Sequence, residues 1–246
     1  MKRFCQLSVI ILQLIIVLPA NLSAQQIVSA KQFPNSFSVI NAVIYVDLND
    51  FVLVKKTAVL LQQDIELVTG KKVAIVNSLD KLYKNIIAIG SIEKSSLLKE
   101  LISKRKLNVN TIKNKWEAFQ ISGMQNPFNQ VENVLAIAGS DRRGTAFGVF
   151  ELSKQMGVSP WYWWADVPVK KQSNIYINTA AKITDAPKVK YRGFFINDEA
   201  PCLSNWSKEK FGGFNHLFYE KVFELLLRMK ANYLWPAMWG NAFNTD

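Results

Sequence analysis

Residues 190–201 read KYRGFFINDEAP and residues 216–241 read HLFYEKVFELLLRMKANYLWPAMWGN. The first run, Lys190 to Ile196, is rich in aromatic and β-branched residues and reads as a strand. A loop is expected from there through Gly213. His216 to Lys230 then reads as a helix, because Phe218, Val222, Phe223, Leu226 and Leu227 recur at helical spacing. Ala231 and Asn232 end it, and Tyr233 to Met238 starts a second strand. Strand, helix, strand is one βαβ unit, the step that opens a (β/α)8 TIM barrel. Such a barrel takes about 250 residues, so residues 187–246 are read as its truncated start.

Working outward from this unit, Thr179 to Pro187 is polar and ends in Asp185-Ala186-Pro187, which marks a domain boundary. Before it, strands and helices alternate. Phe37 to Asp47 reads as a strand. Phe51 to Thr69 reads as a helix with Val54, Ala58, Leu61, Ile65 and Val68 on one side and Gly70 as its stop. Lys72–Val76 and Asn85–Ile89 are short strands, and Ser95–Lys104 is a second helix. Trp116–Ser122 and Val134–Ala138 are further strands, Arg143–Met156 is a third helix, and Asn174–Ile177 is expected to close the sheet. This alternation predicts a mixed-sheet α/β domain over residues 25–186.

The first 24 residues stand apart. Lys2 and Arg3 precede an apolar run from Leu7 to Ala20, and Leu22-Ser23-Ala24 offers a small residue for cleavage before Gln25. This is the pattern of a secretory signal peptide, and its apolar run is too short for a membrane anchor. The expected destination is secreted or periplasmic, in a bacterial setting, with no membrane association after cleavage. Cys202 is then the only cysteine, so no intrachain disulfide supports the fold. Of the net charge of +11, residues 31–190 carry the excess, with 22 Lys and Arg against 13 Asp and Glu, while residues 191–246 carry six of each. The positive charge is dispersed, which describes a solvated face and speaks against nucleic acid as a partner.

Chemistry concentrates at the ends of the two barrel strands, where barrel enzymes place their working residues. Asp198 and Glu199 follow the first strand and offer carboxylates to sugar hydroxyls. Neighbours on an extended chain point to opposite sides, so both need not face one pocket. Trp239 and Asn241 hold the equivalent place after the second strand. An indole face packs on a pyranose, and an amide donates and accepts together. His216 lacks Cys or His companions, which fits a structural or capping role and no metal site. Gly139-Ser140-Asp141-Arg142-Arg143-Gly144-Thr145 is a strand-to-helix loop, but the phosphate-loop pattern needs Lys where Thr145 stands. Asp141 is therefore read as a helix cap. The aromatic run Pro160-Trp161-Tyr162-Trp163-Trp164 is read as filling the seam between the two domains, with a sugar-stacking platform as the other reading.

Three stretches, GSDRRGTAFGVFELSKQMGVSPWYWWADVP, YRGFFINDEAP and WSKEKFGGFNHLFYEKVFELLLRMKANYLWPAMWGNAF, closely resemble family 115 of the glycoside hydrolases. The resemblance covers the chain from about residue 134 onward, and the earlier segment agrees only in pattern. It implies an α-glucuronidase that removes (4-O-methyl)glucuronic acid from xylan with inversion, built from an α/β domain, a barrel and later helical and β-sandwich parts. It further implies glucuronoxylan as the partner and dimerisation of the full-length protein; no cofactor is expected. Asp198 and Trp239 match the family's pocket residues, with Glu199 and Asn241 beside them. The acid and base are expected beyond residue 246, so the fragment is expected to be inactive alone. A hexosaminidase-like exo-glycosidase and a non-catalytic polysaccharide-binding module are the other readings.

Overall fold

The computed structural model describes residues 26–241 and 243–244. The export signal expected over residues 1–24 lies outside the described residues.

The main sheet has six strands in the order β4-β3-β5-β7-β6-β9. These are β3 (Val43–Val46), β4 (Ile75–Val76), β5 (Asn85–Ser91), β6 (Phe119–Phe128), β7 (Val131–Gly139) and β9 (Lys182–Asp185). β4, β3, β5 and β7 run parallel, while β6 is antiparallel to both β7 and β9. Ile86, Ile87, Ala88 and Ile89 of β5 are all fully buried. A continuous apolar run is what a parallel strand covered on both faces requires. On one face lie α1 (Val52–Thr69) and α3 (Arg142–Gln155), and on the other α2 (Ser96–Ser103). α1 presents the expected stripe Val54, Ala58, Leu61, Ile65 and Val68, each fully buried, and ends at Gly70 with φ 70°, where glycine carries no Cβ penalty. Asp141 caps α3 by accepting from Gly144 N at 2.8 Å, as its position predicts.

Several elements depart from the sequence expectation. The single strand expected over Phe37–Asp47 is two strands, β2 (Ser36–Ser38) and β3, separated by a 3-10 turn at Val39–Asn41. Both halves bury apolar side chains, so periodicity hides the break. β8 (Tyr176–Asn178) does not close the main sheet; it pairs with β1 (Val28–Ser29) and β2 in a separate three-stranded sheet. The closing edge is β9, inside the polar segment, and only Ile183 of its four residues turns inward. Polar edge strands of this kind protect a sheet from further pairing. Finally, Cys202–Phe211 is a helix, α4, where a loop was expected. Pro201 at its start and Gly212 with φ 83° at its end carry the signal, which its sparse apolar spacing conceals.

The unit read as βαβ forms a parallel pair, β10 (Gly193–Phe195) and β11 (Tyr233–Trp235), joined through α4 and α5 (His216–Arg228). Asn215 caps α5 by accepting from Leu217 N and Phe218 N, so the capping role falls one residue before His216. Phe218, Val222 and Leu226 pack under Phe194 and Leu234, whereas Phe223, expected on the same stripe, is exposed. Gly193 is required at the pairing: a Cβ there would stand 1.7 Å from the Tyr233 carbonyl oxygen.

Two buried polar networks fix this unit on the sheet domain. Arg228 of α5 donates to both oxygens of Asp64 on α1, at 2.9 Å each, and to Glu224 at 2.8 Å. Burial alone favours a neutral Arg228, but Asp64 and Glu224 hold it above its ordinary value. Burial and the Glu224 carboxylate push the Tyr162 hydroxyl up to about 12, so it stays a donor to Glu224. In the second network Glu117, 1 % exposed, accepts from Arg143 at 2.5 Å, from Arg192 at 2.6 Å and from Asn232 at 2.9 Å. Arg192 leads into β10 and Asn232 into β11, so one carboxylate gathers the starts of both strands. Burial raises Glu117, but Arg192, Asn232 and Arg143 outweigh it and hold the carboxyl below its usual range.

Burial already pushes the Asp64 carboxyl above its usual range; Arg228→Met leaves it without its partner and is expected to cost about 3–5 kcal/mol in urea unfolding. The double replacement Asp64→Leu with Arg228→Leu should cost less than Arg228→Met alone. Equal or larger loss in the double variant would show that the ion pair is not what the single variant breaks.

Candidate functional site

The candidate site lies where β10 and β11 end. Asp198 sits three residues beyond β10 and is only 2 % exposed. Its carboxylate reaches across to the segment after β11, accepting from Met238 N at 3.2 Å, from Trp239 N at 2.9 Å and from Asn241 Nδ2 at 2.8 Å. Ser204 Oγ on the first turn of α4 donates to the Asp198 carbonyl. Asn241 Nδ2 also donates to the Trp239 carbonyl at 2.8 Å, which closes the turn on itself. The clasp therefore joins both strand ends and the start of α4.

Burial works to raise the Asp198 carboxyl, but the donors from Met238, Asn241 and Trp239 prevail and hold it below the usual aspartate range. Asp198 is a fixed negative charge facing backbone amides. Such a group orders the residues around it and sets the local potential.

Three of the four residues singled out from sequence meet here. Asp198 contributes the carboxylate, Trp239 its amide and Asn241 its side chain, while the Trp239 indole projects outward, 62 % exposed. Glu199 is exposed, with its amide donating to Asn197 Oδ1 at 3.3 Å, and takes no part in the clasp. Arg192, which precedes β10, pairs with Glu117, 75 residues earlier in the chain. Sequence reading missed Glu117, Asn232, Asp64 and Arg228, which orient the strand pair. A charged residue within an apolar helical stripe, as Asp64 is in α1, was the one available signal. Among the described residues no group of three or more His, Cys, Asp or Glu side chains is placed to hold a metal ion.

Beside the clasp the strand pair shows an apolar face. Phe195 and Trp235, paired in register, meet edge to face at 5.7 Å and are 47 % and 52 % exposed. Tyr191 and Tyr233 extend the same surface at the strand starts.

Asp198→Asn replaces an acceptor with a group that donates from one side, so at least one of the three donors loses its partner. The expected cost is about 1–3 kcal/mol. A carboxyl whose folded value is depressed contributes stability above its unfolded value and loses it as pH falls through the folded one. In an NMR titration the Met238 and Trp239 amide protons should therefore shift with a midpoint below the ordinary aspartate range. A midpoint within that range would refute the clasp.

Residues 184–246, which carry β10, α4, α5, β11 and the clasp, match the model of glycosyl hydrolase family 115. No curated protein matches the chain. Among solved structures, BtGH115A, a family GH115 4-O-methyl-α-glucuronidase with specificity for decorated arabinogalactans, is 32 % identical over 80 % of this chain, with a TM-score of 0.67. The chain spans 25 % of that neighbour. The GH20 exo-β-N-acetylglucosaminidase of Vibrio harveyi is 13 % identical, with a TM-score of 0.45 over 86 % of this chain and 24 % of its own. The GH20 β-N-acetylhexosaminidase of Streptomyces coelicolor is 12 % identical, with a TM-score of 0.48 over 82 % and 31 %. At that level these two add nothing to the reading of the site. The family match falls on the segment that builds the clasp, and the neighbour's likeness extends it through the sheet domain: the chain belongs to glycosyl hydrolase family 115.

Proposed function

We propose that the full-length protein is an exported α-glucuronidase that removes (4-O-methyl)glucuronic acid side chains from xylan by inverting hydrolysis. In this reading β10, α5 and β11 are the first step of a (β/α)8 barrel, with Trp239 and Asn241 at its mouth and Asp198 holding them there. The match of residues 184–246 to family 115 and the likeness to BtGH115A support the activity, and the open apolar face of Phe195 and Trp235 supports the barrel. Parallel strands are covered on both faces, and the inward side chains of a barrel pack into a filled core. α5 covers one face of this pair, and further barrel strands would cover the other.

The roles divide accordingly. The Trp239 indole offers a stacking surface for a pyranose, and the Asn241 carbonyl oxygen remains an acceptor for a sugar hydroxyl. Inverting hydrolysis needs two carboxyl groups about 6.5–9.5 Å apart with water between them. Asp198 and Glu199 are adjacent in the chain, and the first has its oxygens occupied. The proton donor and acceptor therefore belong to later strands, and Asp198 acts on binding. The specificity named for BtGH115A, decorated arabinogalactans, makes that polymer the second reading of the substrate.

The full-length protein is expected to release uronic acid from glucuronoxylan, appearing first as the β-anomer by NMR, and to leave aryl N-acetylhexosaminides intact. Trp239→Ala should lower kcat/KM by about tenfold or more. Residues 1–246 alone should release none. Release of hexosamine without uronic acid would sink this reading, and release from arabinogalactan alone would move it to the second polymer.

A further inference from the structure

α4 carries Leu203, Trp206 and Lys210 at helical spacing, so the three share one side of the helix. Opposite them runs the segment from Tyr162 to Asp166, and between the two lies a cleft of roughly 480 Å³. That size falls in the range of small-ligand clefts, about 300–1,000 Å³.

Two of the aromatic residues here serve the fold. Trp164 Nε1 donates to the Lys221 carbonyl at 3.1 Å, and its ring meets Phe218 edge to face at 5.9 Å. Tyr162 packs on the sheet domain's core and donates to Glu224. Together they bury the seam between the sheet domain and the strand pair. Trp206 also packs on the hydrophobic core under the strand pair, and Trp163 and Trp206 meet Phe211 at 6.0 and 5.7 Å, but both still line the cleft. Both are half-buried, they meet near-perpendicular at 6.2 Å, and neither indole N–H has an acceptor among the described residues.

The rim is charged. Lys210 and Asp166 are exposed at the mouth, and Lys221 Nζ stands 5.5 Å over the Trp163 ring. Indole faces with unused N–H donors, bordered by two ammonium groups and one carboxylate, match the apolar face, hydroxyl acceptors and negative charge of a uronate-bearing pyranose chain. The place also fits. Ser204, one residue from Leu203, is bonded to the Asp198 carbonyl, so α4 carries the cleft from the same strand end that carries the clasp.

We propose that this cleft binds a pyranose segment of the acidic polysaccharide, apart from the bond that is cut. The proposal rests on the glycosidase reading above for its polymer.

The test uses the full-length protein with the variants Trp163→Ala and Lys210→Ala, each checked for an unchanged melting transition. Retardation in gels containing glucuronoxylan measures polymer binding, and kcat/KM is taken on a short uronic-acid-bearing xylo-oligosaccharide and on the polymer. Trp163→Ala is expected to weaken retardation about tenfold. Lys210→Ala should weaken it less and only at low salt. For both variants the loss on the polymer should exceed the loss on the oligosaccharide. Unchanged retardation in both, or equal losses on the two substrates, would overturn the proposal. If Trp163→Ala unfolds, Lys210→Ala and indole N–H shifts of Trp163 and Trp206 on adding xylotriose decide it, absence of both effects counting against the cleft. A panel including decorated arabinogalactan separates the two claims: retardation lost in the variants on any of these polymers supports the cleft even where glucuronic acid release fails.

Discussion

The carboxylate of Asp198 stands at the end of one parallel strand and takes its three donors from the residues that follow the other. The arrangement works because the charge is buried against the Met238 and Trp239 backbone amides, whose acceptor it is, so leaving the clasp would strand donors and acceptor alike. With the segment after β11 fixed in this way, the Trp239 indole is directed outward. Without it, a short stretch ending in Gly240, with φ 67°, would have many conformations. Pre-setting an exposed aromatic side chain lowers the entropy lost when a ligand packs on it.

The clasp needs the two strands to start together as well as end together. Glu117 does this from the sheet domain, binding Arg192 and Asn232 just before β10 and β11. Arg228 anchors the intervening helix to Asp64, so the strand pair is held from both its backbone and its packing side. These contacts join charged groups of the main sheet's helices and loops to the strand pair, beside Tyr162 and Trp164. The sheet domain thereby acts as a platform for the strand pair, and its fold bears on the site through orientation.

How far the sequence discloses this depends on distance along the chain. α1, α3 and α5 are legible because burial on one side imposes a 3.6-residue period, and Gly70 ends α1 where expected. Asp198, Trp239 and Asn241 are legible as residues following strands. α4 is hidden, since its one-sided stripe of Leu203, Trp206 and Lys210 mixes apolar and charged types and faces a cleft. β9 is hidden by its polarity as an edge. The ion networks are the least legible, because Asp64 and Arg228 lie 164 residues apart and Glu117 and Asn232 lie 115 apart. No local pattern links such partners, and Phe223 likewise carries an apolar residue to a surface that α5's period assigns to the core.

In the proposed barrel the open face of Phe195 and Trp235 is the inner wall of a larger ring. A crystal structure of the full-length protein with glucuronic acid bound tests this most directly. Phe195 and Trp235 should be enclosed by further parallel strands, with Trp239 against the sugar. Both side chains lying on the outer surface, or the sugar bound far from Trp239, would contradict it.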